Sequence, residues 1–302
     1  MEERGKEILI RMPNWIGDCI MSIPSLRALS RKYRLILVGK PWLAELFRDQ
    51  SFFYRIIPFK SIFQRLPGVE TGLLFTNSFS SALNFFINGI RRRIGFSTDL
   101  RKPLLTDPIP PKRDIHQVLQ YNLLAEYLVG KVDEKMELDV ENRKKEIDVI
   151  MLPAASKQAK RWGEEKYRLL GEYLKKKGFT VLYLGSKSEE ELLKRAAGSL
   201  PFATPLMGNL PSTLSRARVV VGNDTGPIHI AVAVGTKVIA IFGPTDPSLT
   251  SPWGQKDAYI YKNPPCGPCH RRKCPPSKHI CMNSITVEEV FEKTLKLLRE
   301  KS

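Results

Sequence analysis

Short apolar runs alternate with amphipathic stretches along most of the chain. Glu7 to Met12 reads as a buried strand. Asp18 to Lys32 reads as a helix, with Ile20, Ile23 and Leu26 near a three-to-four spacing and Pro24 marking a kink or a late start. Strand Arg34 to Val38, short helix Pro41 to Phe47, strand Leu73 to Thr76, helix Phe79 to Asn88, strand Ile94 to Ser97 and helix Asp114 to Leu128 follow. From Lys131 to Lys145 the chain is charged and weakly apolar, and then the pattern restarts. The second half reads as strand Asp148 to Leu152, helix Glu164 to Lys177, strand Thr180 to Leu184 and helix Ser188 to Ala197. Helix Pro211 to Ala217, strand Val219 to Val221, helix Pro227 to Val234, strand Lys237 to Phe242 and a final helix from Val287 to Lys301 complete it.

Strands alternating with helices predict parallel sheets joined by right-handed crossovers. Two such halves predict an α/β chain of two doubly wound domains, residues 1–145 and 146–302, facing across a cleft. The final helix is expected to cross back onto the first domain. Ligands of such sheets sit at the carboxyl ends of the strands. The halves are alike in layout only, without an internal sequence repeat. A length of 302 residues suits two domains.

Composition narrows the class. Hydrophobic residues make up 42% and charged residues 26%, as in ordinary globular proteins. The longest apolar stretch, Val232 to Phe242, is broken by Gly235 and Lys237 and is too short to span a membrane. The opening Met-Glu-Glu-Arg-Gly-Lys-Glu lacks the long apolar run of a signal peptide, so the expected compartment is the cytoplasm. The formal net charge of +17 points to an anionic partner: nucleic acid, a phosphorylated glycolipid or an acidic membrane surface. The plainer alternative is a lysine-rich, charge-networked surface. Arg91-Arg92-Arg93 is either a contact for anionic groups or a solvated run. No helix-turn-helix, RNA-recognition or zinc-finger pattern is present, so nucleic acid is not an expected partner.

Four segments carry candidate chemistry. Strand Val219 to Val221 runs into Gly222-Asn223-Asp224-Thr225-Gly226-Pro227-Ile228-His229. Gly222 and Gly226 permit close approach and unusual dihedrals, Thr225 or Asp224 suits a cap, and Pro227 suits a first turn. The helix start can hold a diphosphate on free amides, or be only a capped strand-turn-helix junction. The first loop, Met12 to Asp18, puts a carboxylate at a helix start, where Asp18 is a general base or an N-cap. Leu152 to Trp162 offers small residues, the Ser156 hydroxyl and the Lys160 charge, with Trp162 as a packing anchor. Cys266, Cys269, Cys274 and Cys281, with His270 and His279 among them, suit structural zinc or an iron–sulfur centre, disulfides, or inert thiols. Cys19 reads as a small buried residue.

At Pro13-Asn14-Trp15-Ile16-Gly17-Asp18, Ala159-Lys160-Arg161-Trp162, Asn223 to His229 and Phe242-Gly243-Pro244-Thr245-Asp246-Pro247 the chain resembles the ADP-heptose:lipopolysaccharide heptosyltransferases, glycosyltransferase family 9. The motifs fall in the family's order over nearly the whole chain, and the Cys266 to Cys281 segment looks more like the heptosyltransferase II branch. The resemblance implies a GT-B fold, with a first domain binding acceptor and a second binding the nucleotide sugar. It implies an inverting transfer of heptose from ADP-heptose to the phosphorylated inner core of lipopolysaccharide, at the inner membrane surface, with no cofactor required. Asp18 matches the family's catalytic base and Lys160 its donor-phosphate lysine. Asp224, Thr225, Gly226 and His229 match its contacts around the diphosphate and heptose. Where the family often has Gly or Thr, this chain has Ala154 and Ala155, and Ser156 is the nearest hydroxyl. Arg91, Arg92 and Arg93 are then candidates for the acceptor's anionic groups. The rivals are a GT-B enzyme with another sugar or acceptor, a nucleic-acid-binding protein, and a metal-stabilised sensor built on the cysteines.

Overall fold

The computed structural model describes residues 5–141, 144–275 and 278–300. The Met1-to-Arg4 opening, Asn142 and Arg143 of the charged stretch, and the expected Lys301 end of the last helix lie outside the described residues. Two compact units divide the chain, residues 1–137 and 138–302.

In the first unit the order is β1 (Glu7–Arg11), α1 (Ile16–Met21), α2 (Ile23–Ser30), β2 (Arg34–Gly39), α3 (Trp42–Leu46) and β3 (Arg55–Pro58). Then come β4 (Thr71–Leu74), α4 (Phe79–Ile87), β5 (Arg92–Phe96), β6 (Asp107–Ile109) and α5 (Gln117–Val129). All strand pairs are parallel, in the order β3-β2-β1-β4-β5-β6. Leu9, Ile36, Val38 and Leu74 of the inner strands meet Phe85 of α4 and Ile90 in one core. β1, buried almost throughout, reads as an apolar run because both faces of a central parallel strand are covered.

The first helix departs from its expected form. It is two helices, broken at Ser22, and Pro24 lies in the first turn of α2, where its missing N–H costs no hydrogen bond. β3 and β6 carry little sequence signal, because both are short, half-exposed edges. Pro108 in β6 is tolerated at an edge.

The second unit runs β7 (Ile147–Leu152), α6 (Glu164–Lys176), β8 (Val181–Leu184), α7 (Glu190–Ala197), β9 (Phe202–Ala203) and α8 (Leu210–Ser215). β10 (Ala217–Asn223), α9 (Gly226–Ala233), β11 (Lys237–Ile241), α10 (Pro247–Thr250), β12 (Tyr259–Ile260), α11 (Ile280–Asn283) and α12 (Val287–Arg299) follow. Its sheet is again parallel, in the order β12-β11-β10-β7-β8-β9. Val149, Met151, Val219, Val221, Ile239 and Ile241 form its central layer. α12 lays Val287, Val290, Leu295 and Leu298 into that same core. Its apolar stripe packs on α6, β10 and β11. No helix among the described residues is long and apolar enough to cross a membrane.

Candidate functional site

Numbered from its own first strand, each sheet has the order 3-2-1-4-5-6. The direction of winding reverses between β1 and β4 in one unit and between β7 and β10 in the other, and such reversals open a crevice at the carboxyl edge. In the second unit three loops meet beside that crevice. The loop after β7 ends in a turn of 3₁₀ helix at Gln158–Lys160, β10 leads to Asp224, and β11 leads to Thr245.

Their side chains converge on one carboxylate. Asp224 is 5% exposed. Its Oδ2 is ion-paired with Lys160 Nζ, and Thr245 Oγ1 donates to the same oxygen at 2.6 Å. Lys160 Nζ also donates to the Asp224 carbonyl at 3.1 Å. A carboxylate this far from water is tolerated only with such partners. Asp224 therefore holds the ammonium of Lys160 in place, and its own negative charge makes it a poor direct partner for a diphosphate. Asn223, fully buried, completes the joint: Nδ2 donates to Pro153 O at 2.8 Å and Oδ1 accepts from Trp162 N at 3.0 Å. It ties the two ends of the Lys160 loop to β10. Trp162 is the anchor expected of it, donating Nε1–H to Ile285 O at 2.9 Å and meeting Tyr167 edge to face.

The start of α9 corrects part of the expectation. Neither Asp224 nor Thr225 caps it: Thr225 holds the N-cap position without a side-chain cap bond, and its hydroxyl donates back to Asn223 O at 3.2 Å. No side-chain oxygen caps this turn, in which Pro227 has no N–H and the Ile228 N–H donates to Thr225 O at 3.1 Å, so the Gly226 amide is the one at issue. Gly222 and Gly226 do not adopt positive φ. Gly222 is needed for packing, since a Cβ there would lie 2.7 Å from Leu152 Cβ. His229 sits one turn into α9 and is buried, whereas Ser156 is exposed on the β7 loop. Beside that loop is an open depression of about 330 Å³ lined by Pro153, Gln158, Arg161, Gly163, Glu164 and His279.

The four clustered cysteines are free thiols, Cys266 exposed and Cys281 buried. Burial pushes the Cys281 thiol up, and the nearby Cys266, Cys269 and Cys274 add to it. Among the described residues no group of three or more His, Cys, Asp or Glu side chains is placed to hold a metal. His279 Nε2 is instead 2.8 Å from Ala159 O, bracing the Lys160 turn.

In the first unit Asp18 follows β1 at the corresponding crevice. It is in the first turn of α1, whose N-cap is Trp15, so Asp18 is not the cap. Tyr121 of α5, a residue without a sequence signal, donates its hydroxyl to Asp18 Oδ1 at 3.0 Å. Burial, reinforced by the Asp18 charge, pushes the Tyr121 phenol well above its ordinary pKa, so it stays a donor. Arg11, 4% exposed, fixes the loop: Nη1 donates to Met12 O at 2.7 Å and Nη2 to Asn14 Oδ1 at 3.2 Å, with Phe59 beneath the guanidinium. Burial lowers the Arg11 pKa to about 10. Cys19 is fully buried, and burial raises its thiol pKa well above the ordinary value.

Arg91, Arg92 and Arg93 lie at the start of β5, on the amino edge of the sheet, and Asp18 lies beyond its carboxyl edge. The structure does not bring them together. Arg92 pairs with Asp107 at 3.1 Å, Arg93 donates to Leu104 O at 2.6 Å, and Arg91 is exposed. The anion that the run called for is supplied in part by the fold itself.

Two Rossmann-like units, each gathering polar side chains at its own crevice, define the GT-B class of architecture. The model of glycosyltransferase family 9 (heptosyltransferase) matches residues 60–280. Lipooligosaccharide heptosyltransferase 2 of Campylobacter jejuni is 26% identical over 96% of this chain and 99% of its own length. The structure of Escherichia coli ADP-heptose lipopolysaccharide heptosyltransferase II superposes with a TM-score of 0.79 at 22% identity, covering 97% of this chain and 98% of that one. E. coli heptosyltransferase WaaC with ADP-2-deoxy-2-fluoro heptose gives 0.76 at 18% identity, over 96% and 99%. The chain belongs to glycosyltransferase family 9, the heptosyltransferases.

Proposed function

We propose that this enzyme is an inverting transferase that moves heptose from ADP-heptose to the phosphorylated inner core of lipopolysaccharide. The observation that carries the donor half is the Lys160–Asp224–Thr245 cluster beside the uncapped start of α9. The positioned Lys160 ammonium and the N-terminal end of α9, with its Gly226 N–H, are the donors assigned to a diphosphate. Lys160, Thr225 and Gly226 are assigned to the diphosphate, His229 and Ser156 to the donor around it, and Asp224 to positioning Lys160.

Asp18 takes the proton of the acceptor hydroxyl as its oxygen attacks the anomeric carbon. The bond to the ADP oxygen breaks on the opposite face, which inverts the centre, and Lys160 meets the charge that develops on the leaving phosphate. No step calls on a metal, and zinc or disulfides at Cys266, Cys269, Cys274 and Cys281 would be structural only. A metal assay with a thiol count on purified protein tests that point. Residues 1–145 are assigned to the acceptor and 146–302 to the nucleotide sugar. Of the three arginines, the exposed Arg91 is assigned to anionic groups of a large acceptor. The place of action is the cytoplasmic face of the inner membrane, peripherally bound.

The test is transfer from ADP-heptose, and from a panel of other sugar nucleotides, onto a truncated lipopolysaccharide core. Transfer from ADP-heptose alone is expected, and preference for another sugar nucleotide would overturn the assignment. Asp18→Asn should lower kcat by about 10²–10⁴-fold with ADP-heptose binding intact, and near-full turnover would remove Asp18 from the chemistry.

A further inference from the structure

We propose that the outer face of α4 docks on an anionic lipid bilayer. α4 reads Phe-Ser-Ser-Ala-Leu-Asn-Phe-Phe-Ile and holds no charged residue. One side, with Ala82 and Phe85, fills the core of the first unit. The other side is also apolar yet faces solvent: Phe79 is 46% exposed, Phe86 51% and Ile87 47%. Positions 79, 86 and 87 fall within one helical stripe, as they repeat after seven and eight residues. A helix apolar on both sides is not explained by its own domain's core.

Two loops add to the stripe. Asn84 Nδ2 donates to Ile62 O at 2.6 Å, Asn88 Nδ2 donates to Gln64 O at 3.0 Å, and Asn88 Oδ1 accepts from Leu66 N at 2.8 Å. These bonds hold Phe63, 76% exposed, beside the helix. At its other end, Thr98 Oγ1 donates to Asn77 O at 3.3 Å and Arg101 donates to Thr76 O, which fixes the loop carrying Leu100 next to the start of α4. Leu100 is 91% exposed, and it and Asp99 both sit in the left-handed region, at φ 58° and 50°. That region is disfavoured for a residue such as leucine, so the fold holds Leu100 in water at a conformational cost.

Charge complementarity selects the occupant. Residues 55–106 hold eight Lys and Arg against two Asp and Glu. Arg93 lies over the Phe86 ring at 5.3 Å, and Arg91 is exposed at the same end of the helix. An apolar strip edged by arginines matches the acyl boundary and anionic headgroups of a bilayer. The start of α4 and Leu100 also lie at the carboxyl edge that carries Asp18, so docking would present that edge to a lipid-anchored acceptor. This deepens the membrane part of the proposed function and rests on it.

The test is sedimentation of the full chain with phosphatidylcholine vesicles and with vesicles containing about one-third phosphatidylglycerol, at fixed salt. Binding to the anionic vesicles only is expected. Phe63→Ser/Phe86→Ser should weaken it by roughly tenfold or more, and Leu100→Ser alone should weaken it in the same direction. Transfer onto a water-soluble, delipidated core acceptor should be unchanged in both variants, which also shows that they are folded. Failure of the wild type to bind anionic vesicles, or equal binding by wild type and both variants, would overturn the proposal. So would concentration-dependent dimerisation of the wild type that the variants abolish, because a second copy would then cover the face. Loss of transfer with vesicle binding intact would count against the assigned reaction and leave this surface standing.

Discussion

At the residue scale, the side chains that matter are held by neighbours with no sequence signal of their own. Asp18 stands out in a loop motif, whereas Tyr121, which bonds its carboxylate, is one of two tyrosines on an ordinary helix 103 positions away. Tyr121→Phe removes that hydrogen bond and should lower kcat, with ADP-heptose affinity unchanged. An unchanged kcat would mean that Tyr121 only packs. Lys160 and Asp224 allow a sharper separation. Lys160→Met leaves a buried carboxylate without its cation and should cost about 3 kcal/mol in stability. Adding Asp224→Asn should restore most of that stability but not the transfer activity, as read by urea melts and turnover on the same samples. Recovery of activity in the double variant would remove Lys160 from the donor site.

At the element scale, the central strands and long helices follow directly from apolar periodicity, and the edges do not. β6 shows why. It has three half-buried residues, one of them proline, and it is held by side chains more than by a pattern. Asp107 binds Arg92 of β5 at 3.1 Å and accepts from Thr106 and Tyr127, each at 2.7 Å. Burial pushes the Asp107 carboxyl up, but the bonds from Thr106, Tyr127 and Arg92 together outweigh it and hold it below its ordinary value. A depressed folded pKa gives stability that is present above the unfolded pKa and lost as pH falls through the folded one. The stability difference between wild type and Asp107→Asn should thus be largest near neutrality and shrink between roughly pH 5 and pH 2. A difference that is flat over that range, in denaturant melts, would show that Asp107 contributes no charge-dependent tie. The same scale explains α9, whose helical start was legible while its lack of a cap was not. Capping depends on where the Thr225 hydroxyl turns, and here it turns back to Asn223.

At the scale of the whole molecule, the surplus of positive charge is shared between the units. Residues 1–137 hold 21 Lys and Arg against 14 Asp and Glu, and residues 138–302 hold 27 against 17. Net charge therefore does not single out the first unit as the basic one, and where the arginines lie matters more than their number. A nucleotide that binds only the folded chain should stabilise it by about 2.7 kcal/mol at 100 times its Kd. ADP should accordingly raise Tm, UDP should raise it less, and Lys160→Met should abolish the ADP shift; equal shifts from both nucleotides would argue against a site that selects adenine. The sequence by itself determined two α/β halves, their parallel sheets and the loops that bear Asp18, Lys160 and Asp224. Apolar periodicity and the residues at strand ends are local properties, so they can be read without coordinates. Only the tertiary structure decided that Asp224 faces Lys160 and Thr245, that Tyr121 reaches Asp18, that Arg92 is spent on Asp107, and that α12 packs on α6, β10 and β11. Each of those depends on which strands become neighbours across tens of residues, and no local pattern encodes that adjacency.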